Sequence, residues 1–139
     1  MVDALKEAHR VLSRTGVLVD LRPVIVPIVV EVVVANDARW ATSVETYSAP
    51  EDVAAAEAAT QHALSREWFR KDASLHFDLE IYCDTAADLS AYAEGRKLEG
   101  APIPFDELEG RRREWSTEEP ARLRCLRRWM LSTYRKTSR

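Results

Sequence analysis

The sequence predicts an α+β protein in which helices pack on a mixed, mostly antiparallel sheet. Three patterns carry this prediction: helix-spaced apolar residues near the start, a β-branched run followed by an alternating stretch, and strict apolar–polar alternation further on. They occupy residues 4–14, 28–47 and 75–83. With 139 residues, 46% apolar and 31% charged side chains, the chain has the length and composition of one domain over 1–139.

The first element is predicted to be an amphipathic helix over 4–14, because apolar residues recur there at helical spacing (Leu5, Ala8, Val11 and Leu12). Asp3 is expected to accept hydrogen bonds from the first turn, and Gly16 to close the helix in the left-handed conformation. Val17–Leu21 follows as a short buried strand, which Pro23 ends because proline has no N–H for a ladder.

Residues 28–47 read as a β-hairpin, with a β-branched first strand and the turn at Asn36–Asp37. Trp40 lies on one face of the second strand, where we expect it to pack or to line a ligand pocket. Ser48–Glu51 then has the pattern of a capping box, and the alanine-rich residues after it predict a helix over 51–69.

The clearest strand covers 75–83, with apolar residues on one face and His76, Asp78, Glu80 and Tyr82 on the other. Three of these are metal-ligand types, but alternate residues stand roughly 7 Å apart, too far for one ion to reach all three. We therefore interpret this face as the solvated side of a sheet and assign no metal site. A helix over 86–94 follows, capped at Thr85, and residues 95–118 are expected to form a mobile loop, although 105–115 is also compatible with a polar helix. Residues 121–134 fit either a helical stripe or one face of a strand.

The run "Leu-Lys-Glu-Ala-His-Arg-Val-Leu-Ser-Arg-Thr-Gly-Val-Leu-Val-Asp-Leu-Arg-Pro" (residues 5–23) resembles the segment that leads into the fifth strand of class I S-adenosylmethionine-dependent methyltransferases. Thr15-Gly16 stands where that family commonly has Pro-Gly-Gly. The resemblance implies a Rossmann-like, doubly wound fold, of which this chain matches the C-terminal half. Such enzymes end in a strand antiparallel to its neighbours, with an Arg-rich character like that of residues 128–136. The resemblance therefore favours a strand over 121–134, inserted beside 75–83.

The cofactor-binding half of that family has no counterpart in this sequence. The family holds S-adenosylmethionine on a glycine-rich turn after its first strand, because the ligand must approach bare backbone. The four glycines here (Gly16, Gly95, Gly100 and Gly110) form no G-x-G. We therefore expect a truncated methyltransferase-like protein that binds no cofactor alone and to which no catalytic residue is assigned. The alternatives are an enzyme half completed by a partner chain, which would then bring S-adenosylmethionine, and a stand-alone dimeric module for a small ligand or a protein.

The resemblance also implies an open edge at Val17–Leu21, since the strand matching it is central in the family. We predict a homodimer or a partner chain that covers this edge. Asp20 and Arg22 end the strand, where open α/β sheets place ligand-contacting groups, and Trp40 and Tyr82 complete the candidate pocket. A terminal salt bridge is the plainer interpretation of Asp20 and Arg22.

Charge is unevenly distributed along the chain. Residues 111–139 contain ten Lys/Arg and three Glu, a net charge of +7. The whole chain has a net charge of −3, so residues 1–110 carry −10. Pairing of this basic end with the acidic body is more plausible than nucleic-acid binding, since no stacking or recognition motif accompanies it. Cys83 and Cys125 are expected to be reduced, buried thiols. No leader and no apolar run of membrane-spanning length is present, so we expect a cytoplasmic protein without membrane contact.

Overall fold

The computed structural model describes residues 1–138, which form four helices and seven strands. The helices are α1 (Val2–Val11), α2 (Pro50–Ser65), α3 (Ala86–Gly95) and α4 (Phe105–Trp115). The strands are β1 (Val17–Pro23), β2 (Ile28–Val34), β3 (Asp37–Val44), β4 (Thr46–Ser48), β5 (Phe69–Cys83), β6 (Leu98–Gly100) and β7 (Arg122–Lys136). The mixed α+β class is confirmed, and the pairs β1–β7, β2–β3, β2–β7 and β4–β6 are all antiparallel.

The chain divides into two compact units, and the long strands β5 and β7 contribute residues to both. Unit 1 consists of Met1–Val24, Pro50–Phe77 and residues 129–138. Unit 2 consists of Ile25–Ala49 and Asp78–Arg128.

In unit 1, β7 lies between β1 and the first half of β5. β1 pairs with β7 from Val17 opposite Arg135 to Pro23 opposite Trp129. β5 also pairs with β7, and its Asp72 and Ser74 side chains contact Arg135 and Ser132 respectively. Residue numbers thus rise along β5 as they fall along β7, so this pair is antiparallel as well. It follows that β1 and β5 run parallel to each other on either side of β7.

The core of unit 1 forms where α1 and α2 cover one face of these strands. Ala63, Phe69 and Tyr134 are buried at its centre, and Leu5 and Leu18 pack against them. α1 begins and ends earlier than predicted, and its N-cap is Met1, without a side-chain hydrogen bond, so Asp3 lies in the first turn instead.

Gly16 does not close α1 in the left-handed conformation, contrary to the prediction. The helix ends at Val11, its C-cap Leu12 is extended, and Gly100 is the one glycine of residues 1–138 with positive φ. A Cβ at Gly16 would lie 2.5 Å from Leu12 Cγ, so the position needs glycine because Leu12 packs against its backbone.

The predicted helix over 51–69 is too long at its C-terminal end. α2 stops at Ser65, Glu67 has φ 55°, and the Trp68 N–H donates to the Ala63 carbonyl at 3.1 Å. β5 then begins at Phe69 rather than at residue 75, because Phe69 is buried in the unit 1 core.

Unit 2 is organised around the β2–β3 hairpin, which is confirmed. Its turn lies at Ala35 and Asn36, both with positive φ, one residue earlier than predicted. β2 also pairs with the first half of β7, and the most deeply buried apolar side chains line this region together with α3 and α4 (Val30, Val32, Leu89, Leu108 and Leu123).

Residues 95–118 are not a loop throughout, because they contain β6 and α4; α4 covers 105–115, where the sequence is also compatible with a polar helix. α4 is ordered by Leu108, which is fully buried, and β6 pairs with β4. The predicted cap of α3 is confirmed, since the Thr85 hydroxyl accepts from the Asp88 N–H and the Asp88 carboxylate accepts from the Thr85 N–H. Gly95 is the last residue of α3, and Lys97 takes the positive φ that follows.

The C-terminal segment is a strand, β7, and it pairs with β5 as expected. Within unit 2 its arginines form ion pairs with acidic side chains: Arg122 with Asp84, Arg124 with Glu31, and Arg128 with Asp78. In unit 1, Arg135 pairs with Asp72. The prediction that the basic end pairs with the acidic body is confirmed within the chain for these four arginines.

No helix within residues 1–138 has the length and apolar character needed to cross a membrane.

Candidate functional site

The first candidate feature is the free edge of β1 in unit 1. Within residues 1–138, β1 pairs with β7 alone, so its other edge presents unpaired backbone N–H and C=O groups. This agrees with the open edge expected from the sequence. Such an edge is a ready template for another strand.

The two faces of β1 have different surroundings. Asp20 lies opposite Ser132 of β7, and the Ser132 and Ser74 hydroxyls are 2.9 Å apart, so all three side chains share one face. This is the face covered by helix, because Arg22, two residues after Asp20, pairs with Glu57 of α2. Residues that alternate with them point to the opposite face.

That opposite face of unit 1 is apolar and uncovered. Val19, Leu21 and Leu75 are each more than half exposed, at 58%, 53% and 52%. Val17 and Phe77 are also exposed, and Leu131, opposite Leu21, is half-buried. The expectation that Val17–Leu21 is a buried strand is therefore wrong, because α1 and α2 cover one face only. We call this surface the open face (Val17, Val19, Leu21, Leu75, Phe77 and Leu131). An apolar cluster of this kind marks an interaction surface.

The second candidate feature is an ion cluster at the end of β1. The Arg22 side chain is 8% exposed, and its Nη2 lies 2.9 Å from Asp20 Oδ2 and 2.8 Å from Glu57 Oε2. Arg22 Nη1 and Asp20 Oδ2 have no hydrogen-bond partner of good geometry within the described chain. Two carboxylates thus hold one guanidinium, which leaves a net negative charge and an unused buried N–H donor.

The structure brings Asp20 and Arg22 together, but it does not bring Trp40 and Tyr82 together. Both aromatic residues belong to unit 2. Trp40 packs on the core side, with the Arg111 guanidinium 5.6 Å from its ring centroid. The Tyr82 hydroxyl instead lies 3.4 Å from Arg124 on the other face of the strands, where Arg124 pairs with Glu31. No aromatic cavity forms between Trp40 and Tyr82.

Glu57 is a member of the ion cluster that the sequence analysis did not select. Val53, Thr60 and Leu64 of α2 are half-buried, and Glu57 lies beside them at the edge of this stripe, with its side chain 49% exposed. The sequence shows that Glu57 lies beside the apolar stripe of α2, but not that it pairs with Arg22.

The polar side chains of β5 are engaged in local pairs. Asp78 accepts from Arg128 at 2.6 Å, and Glu80 accepts from the Tyr82 hydroxyl at 2.9 Å. Among residues 1–138, no group of three or more His, Cys, Asp and Glu side chains is arranged to hold a metal ion.

Cys83 and Cys125 are free and buried in unit 2, as predicted. Burial raises the pKa of the Cys125 thiol to about 11 and also raises the pKa of Cys83. Thiols in this state are poor nucleophiles, so they are packing residues.

Comparisons of the chain with protein-family models, curated proteins and solved structures found no match.

Proposed function

We propose that this chain forms the C-terminal half of a class I methyltransferase-like fold and that a cofactor-binding half completes it along β1. In this proposal the chain does not hold S-adenosylmethionine by itself. The proposal rests on strand β1, which has an unpaired edge and an uncovered apolar face. In the family that residues 5–23 resemble, the matching strand is central in a doubly wound sheet, with strands beside it and helices on both faces.

The strand arrangement of unit 1 supports the proposal independently of the residue pattern. β1 and β5 are parallel, α2 lies between them in the chain, and β7 is inserted antiparallel between them. The resemblance implies such a final antiparallel strand. Parallel strands joined through a helix are also the unit from which doubly wound sheets are built.

The free edge of β1 and the open face determine what the cofactor-binding half must provide. It must add a strand to the free edge of β1 and lay apolar side chains on the open face, so that Val19 and Leu21 leave water. It must also supply the glycine-rich turn for S-adenosylmethionine, because this chain has no G-x-G. Asp20 and Arg22 would then border the ligand crevice at the carboxyl end of β1 and orient the ligand by charge.

The test uses isothermal titration calorimetry and a partner chosen from reading frames adjacent to the gene that encode a G-x-G turn. We expect no micromolar binding of S-adenosylmethionine by the isolated chain, and binding by the mixture. Leu21→Lys, which places a charge in the open face, should abolish assembly with the partner. Val11→Lys, at a residue of α1 that is also exposed, is the matched control and should leave assembly intact. Micromolar binding of S-adenosylmethionine by the isolated chain contradicts the proposal.

A homodimer through β1 is the second candidate, and the ion cluster favours it. If β1 paired antiparallel with a second copy about Leu21, Asp20 of one copy would lie opposite Arg22 of the other, and the unpartnered Arg22 Nη1 would face a carboxylate. Sedimentation equilibrium separates the two candidates. A monomer that associates only with the cofactor-binding half supports the first, and a dimer that Leu21→Lys dissociates supports the second.

A further inference from the structure

Unit 1 contains an apolar cavity beside β1, and Val19 of the open face is one of the residues that line it. Its volume is about 150 Å³, and its walls come from α1, α2, β1, the start of β5 and β7. Its larger apolar lining residues include Leu5, Leu18, Leu64 and Phe69. Met1, which is 63% exposed, also lines the cavity, so the cavity reaches the surface at the first turn of α1. An apolar void of this size in a protein core accommodates one benzene-sized molecule.

Three side chains with polar atoms line the cavity, and they differ in what they can offer a ligand. The Thr60 hydroxyl already donates to the Ala56 carbonyl at 2.9 Å. Tyr134 is 3% exposed and lines the cavity, where its hydroxyl oxygen can accept a hydrogen bond from a ligand.

Asp20 gives the cavity its charge preference. It is the one acidic or basic side chain among the described residues that line the cavity. Asp20 and Glu57 together carry two negative charges against the single positive charge of Arg22, so the cluster beside the cavity remains negative. An anionic ligand would be repelled there, whereas an ammonium group could donate to a carboxylate.

We propose that this cavity binds a small primary amine with an apolar body the size of one aromatic ring. The ring lies among Leu5, Leu18, Leu64 and Phe69, and the ammonium group donates to the Asp20 carboxylate and the Tyr134 hydroxyl oxygen. All residues of this site belong to unit 1, and the site does not depend on the methyltransferase-like proposal.

The test compares three probes of nearly equal shape: benzylamine, toluene and phenylacetate. Binding is followed by the shifts of ring resonances in the nuclear magnetic resonance spectrum of the full chain. We expect benzylamine to bind roughly tenfold more tightly than toluene, as one charge-assisted hydrogen bond would give, and phenylacetate to bind weakest. Asp20→Asn should remove the difference between benzylamine and toluene while toluene still binds.

Ala56→Leu tests the location, because Ala56 is half-buried in α2 and lines the cavity. The larger side chain should fill the space and abolish binding of every probe, whereas Ala58→Leu, on the exposed side of the same helix, should not. If Ala56→Leu does not fold, the wild-type spectrum decides: shifts at Phe69 and Tyr134 support the site. Shifts elsewhere, equal affinity for the three probes, or binding that survives Ala56→Leu would overturn it.

Discussion

The Glu109 carboxylate of α4 accepts a hydrogen bond from the Ala86 backbone N–H at 3.0 Å, so one helix of unit 2 caps the start of another. Arg112 holds the same carboxylate at 2.5 Å, with Arg113 at 3.2 Å. The hydrogen bonds from Arg112 are the main cause of a pKa of about 2 at Glu109, against an ordinary value of 4.5. Protonation of Glu109 would remove the charge with which Arg112 and Arg113 pair.

We predict that Glu109→Gln destabilises the protein by about 1–2 kcal/mol near neutral pH, after allowance for partial exposure. Because the folded-state pKa is lowered, this stabilisation is complete above about pH 4.5 and is lost as the pH falls towards 2. The difference between wild type and variant in urea unfolding should shrink by about half at about pH 3. Glu114→Gln, on the exposed side of α4, is the control, and an equal effect there would contradict the interpretation.

We predict that Glu31→Gln costs more stability than Asp78→Asn. The Glu31 and Arg124 side chains are only 13% and 15% exposed and pair at 2.5 Å, so the change leaves a guanidinium without its carboxylate in a shielded place. The expected loss is about 1–3 kcal/mol for Glu31→Gln and below about 1 kcal/mol for the exposed Asp78–Arg128 pair. Chemical denaturation of both variants measures the difference, and equal losses would refute it.

Two glycine substitutions should have opposite effects. Gly16→Ala forces a Cβ to within 2.5 Å of Leu12 Cγ, so we expect destabilisation of about 1–2 kcal/mol as Leu12 shifts. Gly110→Ala lies inside α4 with no atom within 4 Å of the new Cβ, and should stabilise by about 0.5–1 kcal/mol. Thermal melting of the two variants gives the sign of each effect. If Gly16→Ala raised the melting temperature, the close approach of Leu12 would not be the reason for glycine at this position.

Neither cysteine should react in the folded protein. Since burial raises the pKa of Cys125 to about 11, its thiolate is scarce at ordinary pH, and Cys83 is buried as well. We expect no labelling by a maleimide under native conditions and complete labelling of both thiols in urea. Rapid native labelling at either position would show that the core of unit 2 opens.

The sequence by itself determined the helices, most strands and the α+β class, because these depend on local periodicity and capping. The alternation of 75–83, the Thr85–Asp88 capping box and the β-branched run of β2 are examples. Element ends were less accurate: Phe69 extends a strand rather than a helix, because the unit 1 core requires it there. The sequence left open whether 105–115 is a helix or part of a loop, and it is a helix whose Leu108 is buried in the core; β6 forms because it pairs with β4, which no local pattern predicts.

Only the tertiary structure decided which candidate residues belong together. Asp20 and Arg22 share one face of β1. From distant parts of the chain, Glu57 pairs with Arg22 and Tyr134 lines the neighbouring cavity. Trp40 packs on the core face, whereas Tyr82 lies on the other face beside Arg124, because successive residues of a strand point to alternate faces. Likewise, residues 17–21 have the composition of a buried strand, and α1 and α2 cover only one of its faces. The composition of a segment shows that its side chains are apolar, whereas the fold determines which other elements cover them.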